Sequence, residues 1–416
     1  MKKKYLYHLL LLLIAVVIVI SCKTDEEDTH FGNDPFTSSV LIVYMPWTGN
    51  ADNTYAGLLE DFKNNIKGIE DEIKKEGGIA NGLKIMVFLS KSAKESELYL
   101  LTYKDGAVKE NIVKTYTSTY SFNTSKGLAS LLSIVKTYTN ADSKTKYGLI
   151  IGGHGTGWTA KDAWEKYPTR ARRSVKNTWK APLFTMTRFI GSVSDKEYAM
   201  DVDDVARGIK QADIKLQYLL FDNCYMANVE TAYALKDVTS YLIASTSEIL
   251  AVGMPYKDMY AHLNPEKPNY KEVVSSFKKF FDTYRFPYGA LSVIDCSKTE
   301  PLAEQMKKLN HKYTIQDNQK DYIQKLGGFE PTIFFDILSY VKQMKPSEKD
   351  LSTFRQTLQS TVIASTSTKE LLSVLYGGNE KYIPVEDYSG LTISDPTTHP
   401  VALKTIKSTH WWKATH

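Results

Sequence analysis

Two kinds of hydrophobic pattern alternate along the chain. Short, almost wholly apolar runs occur at 39–47 (SVLIVYMPW), 83–90 (LKIMVFLS), 147–151 (YGLII), 216–222 (LQYLLFD), 241–248 (YLIASTSE) and 289–295 (GALSVID). Runs of this length, apolar throughout and bounded by turn residues, predict strands buried on both faces. Between them, apolar residues recur every three or four positions. Residues 56–78 place Leu58, Leu59, Phe62, Ile66, Ile69 and Ile73 on one helical face and stop at a glycine pair. Further helices are predicted at 125–140, capped by Ser125; at 201–212, with acids in the first turn; at 270–284; and over 331–343 and 350–364. Residues 97–113 read as a hairpin turning on Asp105-Gly106, and 388–396 as a late strand. No internal repeat is present. The alternation predicts an α/β fold: a mostly parallel sheet with helices on both faces.

Ligands of such sheets bind at the carboxyl ends of the strands. Two segments there carry chemistry. "GGHGTGW" follows the strand at 147–151 and surrounds His154 with glycines; "FDNCYM" ends the strand at 216–222 and presents Cys224. The first admits three readings: a nucleotide-binding turn, a tight structural turn, or half of a catalytic site. "GTGWTA" fits a dinucleotide fingerprint, which also needs a helix directly after it and an acid about 20 residues on. Residues near 180 (WKAPLF) supply neither. Residues 223–235 are predicted to run into a helix, with Cys224 at its N-terminus. That placement stabilises a thiolate and supplies free N–H groups for an oxyanion. A histidine on the same edge can serve as acid and base. A small buried cysteine packed under the helix is the alternative.

Composition narrows the classes. The chain has 416 residues, 43% hydrophobic and 24% charged, with net charge +5. That is globular, and too balanced to indicate nucleic acid. The first residues differ. Lys2, Lys3 and Lys4 precede an apolar run from Leu9 to Ile20 that ends in "VISC". Residues 1–21 therefore read as a signal peptide, and the ending resembles a lipobox with Cys22 as the lipidated residue. The acidic stretch 22–37 cannot bury a core and reads as a tether; it also resembles a lipoprotein surface-export signal. Residues 38–416 form the folded domain. These features imply a cell-envelope lipoprotein of the outer membrane, anchored at Cys22, with surface exposure left open; a plain N-terminal anchor helix and a merely solvated linker are the alternatives. Only Cys224 and Cys296 remain after that, and a bridge or two free thiols are both open. The signatures of zinc proteases and serine hydrolases, H-E-x-x-H and G-x-S-x-G, are absent.

The two turns, with the strands before them, resemble the clostripain family of cysteine peptidases, which shares the caspase–gingipain–legumain fold. Weaker likenesses extend through "VLIVYMPW", "GALSVIDCSK" and "YSGLTISDP". The resemblance implies Cys224 as nucleophile, His154 as general acid and base, and the N–H groups of Gly155 and Cys224 as oxyanion donors. Gly155 and Gly157 would then leave room for the scissile carbonyl. It implies Asp222 as the S1 acid selecting Arg, and also Lys, with Glu248 as a second acid. It also implies self-cleavage between His154 and Cys224. The loop 156–199 offers Arg170, Arg172, Arg173 and Lys176, with Arg173 the favoured bond. The expected partners are proteins or peptides with a basic P1 residue, and the expected form is a monomer, two-chain once processed. No cofactor or metal is called for; clostripain itself is calcium-associated, but no calcium-loop spacing occurs here. The competing class is a binding protein on the same fold without activity. The presence of His154, Cys224 and Asp222 argues against it.

Overall fold

Alternate residues of the first strand, β1 (Ser39–Met45), serve two different cores. A computed structural model gives the fold; it describes residues 37–48, 57–117, 122–164, 190–191, 196–286, 288–374 and 381–416. The predicted self-cleavage residues Arg170, Arg172, Arg173 and Lys176, and the predicted lipidation site Cys22, lie outside the described residues.

In chain order, β1 is followed by α1 (Leu59–Lys75), β2 (Leu83–Ser92), β3 (Glu95–Lys104), β4 (Ala107–Tyr116), α2 (Ser125–Tyr138) and β5 (Lys146–Gly152). A two-residue pairing follows, β6 (Ile190–Gly191) with β7 (Ala199–Met200). Then come α3 (Val202–Gln211), β8 (Leu216–Asp222), α4 (Val229–Leu235), β9 (Thr239–Ala244), α5 (Tyr256–Met259), α6 (Tyr270–Thr283), β10 (Ala290–Asp295) and α7 (Thr299–Lys312). The chain ends through β11 (Phe335–Asp336), α8 (Ile337–Gln343), α9 (Glu348–Thr361), β12 (Val362–Ser367), a small hairpin β13 (Glu370–Ser373) and β14 (Lys381–Pro384), β15 (Thr392–Ile393) and short C-terminal helices.

The main sheet has the order β12-β10-β9-β8-β5-β1-β2-β3-β4. Its centre, β9 to β2, is parallel, and antiparallel strands flank it on both sides. Val40, Ile42 and Tyr44 pack with α2, α3, α4 and α7 on one face; Leu41, Val43 and Met45 pack with α1, α5 and α6 on the other. All six are 0% exposed, and burying each such side chain contributes roughly 1.5–3 kcal/mol. That two-sided burial is why the central strands read as unbroken apolar runs. Helix α1 shows the complementary pattern. It buries Phe62, Ile66, Ile69 and Ile73, carries Glu60 and Asp61 in its first turn and Lys74 and Lys75 in its last, as the helix dipole favours, and stops before Gly77 and Gly78, both at positive φ. The hairpin turns on Asp105 and Gly106 (φ 53° and 77°), the pair of positive angles that a two-residue turn demands.

Some expectations differ from the structure. Thr124, not Ser125, caps α2: its Oγ1 accepts from Gly127 N at 3.0 Å. Of 331–343, only Ile337–Gln343 is helical, because Asp336 caps there, accepting from Leu338 N and Ser339 N. The helix predicted over 350–364 ends at Thr361, and Val362 begins β12. The strand predicted over 388–396 shrinks to Thr392–Ile393, which pairs with β11 outside the main sheet and makes a single bridge to Asn228. Gly390 (φ 79°) interrupts the run, and its neighbours are buried against the cysteine turn instead: Thr392 N donates to Ala227 O at 3.1 Å. Among the described residues, no helix is long and apolar enough to cross a membrane.

Candidate active site

The parallel pairing of β5 with β8 sets Gly152 opposite Asp222. His154 and Cys224 each stand two residues beyond that register point, so the sheet delivers both turns to one edge at the same level. The turns are tied directly. Asn223 Nδ2 donates to His154 O at 2.8 Å, and Gly153 N to Asp222 O at 3.4 Å. On its outer side the His154 backbone exchanges two hydrogen bonds with Gly191, at 3.3 and 3.2 Å.

The cysteine turn is not a helix N-terminus. The following helix, α4, begins only at Val229, capped by Asn228, whose Oδ1 accepts from Thr231 N at 2.7 Å. Tyr225, at φ 62°, cannot continue a right-handed helix. The segment after β9 takes the helix's place. Tyr225 N donates to Ser247 O at 2.9 Å and Ala227 N to Ser245 O at 2.8 Å, which is why β9 stops at Ala244 instead of running to 248. The Cys224 sulfur sits against the Ile249 backbone, accepting from its N–H at 3.2 Å and donating to its carbonyl at 3.3 Å. The side chain is buried, and burial, followed by the nearby Glu248 carboxylate, pushes its pKa well up. The resting group is a thiol, where a helix N-terminus was expected to hold a thiolate.

The glycines around His154 also have a packing cause. A Cβ on Gly155 would lie 2.6 Å from Cys224 O and 2.8 Å from Cys224 N. The absent side chain makes room for the cysteine's own backbone. Gly157, at φ 62°, would meet the Phe334 ring at 2.6 Å and Tyr225 O at 2.8 Å. The two turns are therefore packed backbone to backbone, over an aromatic floor in which Tyr225 stacks on Phe334 with centroids 4.8 Å apart.

His154, Cys224, Asp222 and Glu248 line one cavity together with Asn65, Gly253 and Val374. It holds about 50 Å³ open to the centre of a water molecule. At the ~10–15 Å³ that one water needs by this measure, that is space for a few waters or one slim side chain. Asp222 is 6% exposed. Its Oδ2 accepts from Tyr256 Oη at 2.9 Å, while its Oδ1 is buried with no hydrogen-bond partner. Burial raises its pKa to about 6, against hydrogen bonds from Tyr256 and the Met254 N–H. Glu248 is buried too, and both of its oxygens are engaged. Oε1 accepts from Tyr225 Oη at 2.6 Å and from Ser373 Oγ, and Oε2 from Val374 N at 3.0 Å. Burial raises its pKa.

This edge carries a sheet-positioned histidine and cysteine, two buried acids and a narrow cavity. A model of the clostripain family matches residues 47–395. The chain belongs to the clostripain family. It is a cysteine peptidase. Among solved structures it resembles a secreted cysteine protease of Bacteroides thetaiotaomicron called iotapain, at 34% identity and TM-score 0.79, over 92% of this chain and 99% of that one. A clostripain from the same organism, in complex with the peptide inhibitor BTN-VLTK-AOMK, is 40% identical over 54% of this chain and 97% of that chain, with TM-score 0.51. An inactive zymogen from Parabacteroides distasonis, 22% identical, shares the fold at TM-score 0.72 over 92% of this chain and 99% of that one. A comparison with curated proteins finds no significant match. The clostripain-family fold is thus the mixed, centrally parallel sheet described above.

Several members of the site had no signal in the sequence. Asn65 lies on a helix whose pattern reads only as packing, and the segment carrying Gly253 and Tyr256 has no element in the sequence pattern. Ser394 joins the histidine turn to α4: its Oγ accepts from Trp158 Nε1 at 2.9 Å and its N donates to Glu230 Oε1 at 2.9 Å. Beside it lie two acids with buried side chains, Glu230 and Asp395. Glu230 Oε2 and both oxygens of Asp395 have no hydrogen-bond partner. Burial, then each acid's neighbour in the case of Glu230, raises these pKa values to about 8 for Glu230 and about 7 for Asp395. Cys224 and Cys296 are both free thiols. Cys296 packs in the core at the end of β10, away from the turns. Among the described residues, no three His, Cys, Asp or Glu side chains converge as a metal site.

Proposed function

We propose that this peptidase cleaves after a basic residue, with Cys224 as nucleophile and His154 as acid and base. The observation that carries the reading is Asp222. It is a buried acid with one unpartnered oxygen, lining the cavity that Cys224 and His154 also line. A carboxylate left short of a donor there is completed by a P1 cation. The lysine that ends the peptide part of the relative's inhibitor supports the same view. Glu248 adds negative field to the cavity, since its own oxygens are already occupied.

The Cys224 sulfur attacks the scissile carbonyl as its proton passes to His154, so a neutral resting thiol suffices. A carbon–sulfur bond forms, and the charge collecting on the carbonyl oxygen is met by the N–H groups of Gly155 and Cys224. His154 gives the proton to the departing amine as the carbon–nitrogen bond breaks. It then takes a proton from water, which releases the acid product and restores the thiol. The segment 156–199 is the enzyme's own substrate, cut after one of Arg170, Arg172, Arg173 or Lys176. Cys22 is lipidated and holds the enzyme at the outer membrane.

The test is cleavage of fluorogenic peptides with lysine, arginine or norleucine at P1 by the wild type, Cys224→Ala and Asp222→Asn. Cleavage should vanish in Cys224→Ala, and in Asp222→Asn the basic substrates should lose their lead over norleucine. Retained selectivity in Asp222→Asn would place the S1 acid elsewhere. On gels, Cys224→Ala should stay one chain. In cells, Cys22→Ser should leave the membrane fraction.

A further inference from the structure

We infer that Glu248 is a positioning residue: it pins the β13–β14 hairpin and the Ile249 backbone to the cysteine turn, and so sets the cavity wall and the Cys224 sulfur for every substrate, whatever its P1 residue. This role rests on Cys224 being the nucleophile, as proposed above; it does not rest on which group recognises P1.

Two segments far apart in sequence meet on the Glu248 carboxylate. From the cysteine turn, Tyr225 Oη donates to Oε1 at 2.6 Å. From the hairpin, Ser373 Oγ donates to the same oxygen, and Val374 N donates to Oε2 at 3.0 Å. A third segment closes around them. Gly328 N donates to Tyr225 Oη at 3.4 Å, and a Cβ on Gly328 would lie 1.8 Å from Ser373 Oγ. Glu248, Tyr225, Ser373 and Val374 are all buried, so these donors depend on the carboxylate for their acceptor.

The hairpin forms a two-stranded sheet of its own outside the main one, so no strand ladder sets its distance from Cys224. Its Leu371 and Ile383 rest on a small apolar cluster with Ala290 and Leu326, and apolar burial is non-directional. The two bonds to Glu248 supply the direction. Val374, just past β13, lines the cavity with Cys224 and His154. The bond from its N–H therefore fixes where that wall stands.

The next residue carries the effect to the sulfur. Ile249 N donates to Cys224 Sγ at 3.2 Å, and Sγ donates to Ile249 O at 3.3 Å. A side chain held at three points steadies the backbone beside it. Geometry matters here more than charge. The Val374 N–H can only donate, whereas the two hydroxyls can donate or accept. Glutamine at 248 can therefore keep all three contacts, with its oxygen on Val374 and its amide on the hydroxyls. Alanine keeps none and leaves three buried donors unpaired.

The experiment compares the whole protein as wild type, Glu248→Ala, Glu248→Gln and Ser373→Ala. Hydrogen–deuterium exchange follows residues 370–374, and kcat and KM are measured on peptides with lysine or norleucine at P1. In Glu248→Ala, exchange should quicken, and kcat/KM should fall by about 100-fold for both peptides alike, with kcat lower and KM higher. Glu248→Gln should restore the protection and recover at least about ten-fold of that loss. Ser373→Ala should move both readouts the same way, by about ten-fold or less. Equal losses in the alanine and glutamine variants, confined to the lysine peptide, would mean that Glu248 acts by charge alone and would overturn the assignment. Unchanged exchange in Glu248→Ala would overturn it too. If that variant does not fold, Ser373→Ala decides, and unchanged exchange and kcat/KM there would be fatal. A wild type that cleaves both peptides equally would overturn the proposed basic preference, while the exchange and the common loss would still decide the role of Glu248.

Discussion

Asn223 reaches from the cysteine turn to the histidine turn, its Nδ2 donating to the carbonyl of His154 at 2.8 Å. Both groups are buried, so this bond fixes the distance between the two halves of the site. Asn223→Ala should cost about 1 kcal/mol of stability, read from urea unfolding. It should lower kcat by on the order of 10- to 100-fold through misplacement of the reacting pair, with little change in KM. An unchanged kcat would mean that the backbone contacts alone hold the turns.

The resting Cys224 is a thiol whose pKa is pushed up by burial and by Glu248. Alkylation by iodoacetamide should therefore be slow at neutral pH. Its rate should climb with pH, without the plateau below about pH 7 that a preformed thiolate shows. Such a plateau would mean that His154 already holds the proton in the free enzyme.

Gly253 stands at φ +68°, and a side chain there would strike Asp222 Oδ2 and Asn65 Oδ1. Gly253→Ala should lose about 1–2 kcal/mol from the left-handed backbone alone. It should also reduce kcat/KM for basic P1 substrates far more than for norleucine. Equal losses for both would show that Gly253 serves the fold and not the cavity.

Glu230 and Asp395 titrate high because burial disfavours their charged forms, at about 8 and about 7. Unfolded, both would titrate near 4. Between those limits the native chain binds more protons than the unfolded one, so stability falls as pH rises through the window from 4 to 8. Melting temperature should drop between pH 6 and pH 9, and Glu230→Gln should flatten the drop. A wild-type melting temperature constant over that range would show that the pair is neutralised by another group.

The parallel sheet and the edge bearing His154 and Cys224 were legible because two-sided burial writes long apolar runs, and for β5 and β8 those runs locate the strand ends to within a residue. The cysteine turn was misread because "NVETAYAL" has helical spacing from its first residue, while the positive φ of Tyr225 and the cap at Asn228 are local choices that periodicity does not register. A packing reason for glycine at 155 was not legible. What fills the space is the backbone of residue 224, a contact created by the β5–β8 register. Tyr256 and Ser394 were illegible for a related reason. Each acts through hydrogen bonds to residues distant in sequence, Tyr256 to Asp222 and Ser394 to Trp158 and Glu230, and isolated polar contacts leave no pattern along the chain.

Ser394 sets a clock on the enzyme. It binds Trp158 in one turn and Glu230 behind the other, and its neighbour Thr392 holds Ala227. A chain is synthesised from its N-terminus at roughly 5–20 residues per second. His154 and Cys224 therefore both emerge well before the segment that clasps their turns together. Nascent chains long enough to contain Cys224 still lack that clasp. The two turns are therefore clasped only after residues 392–394 have been made.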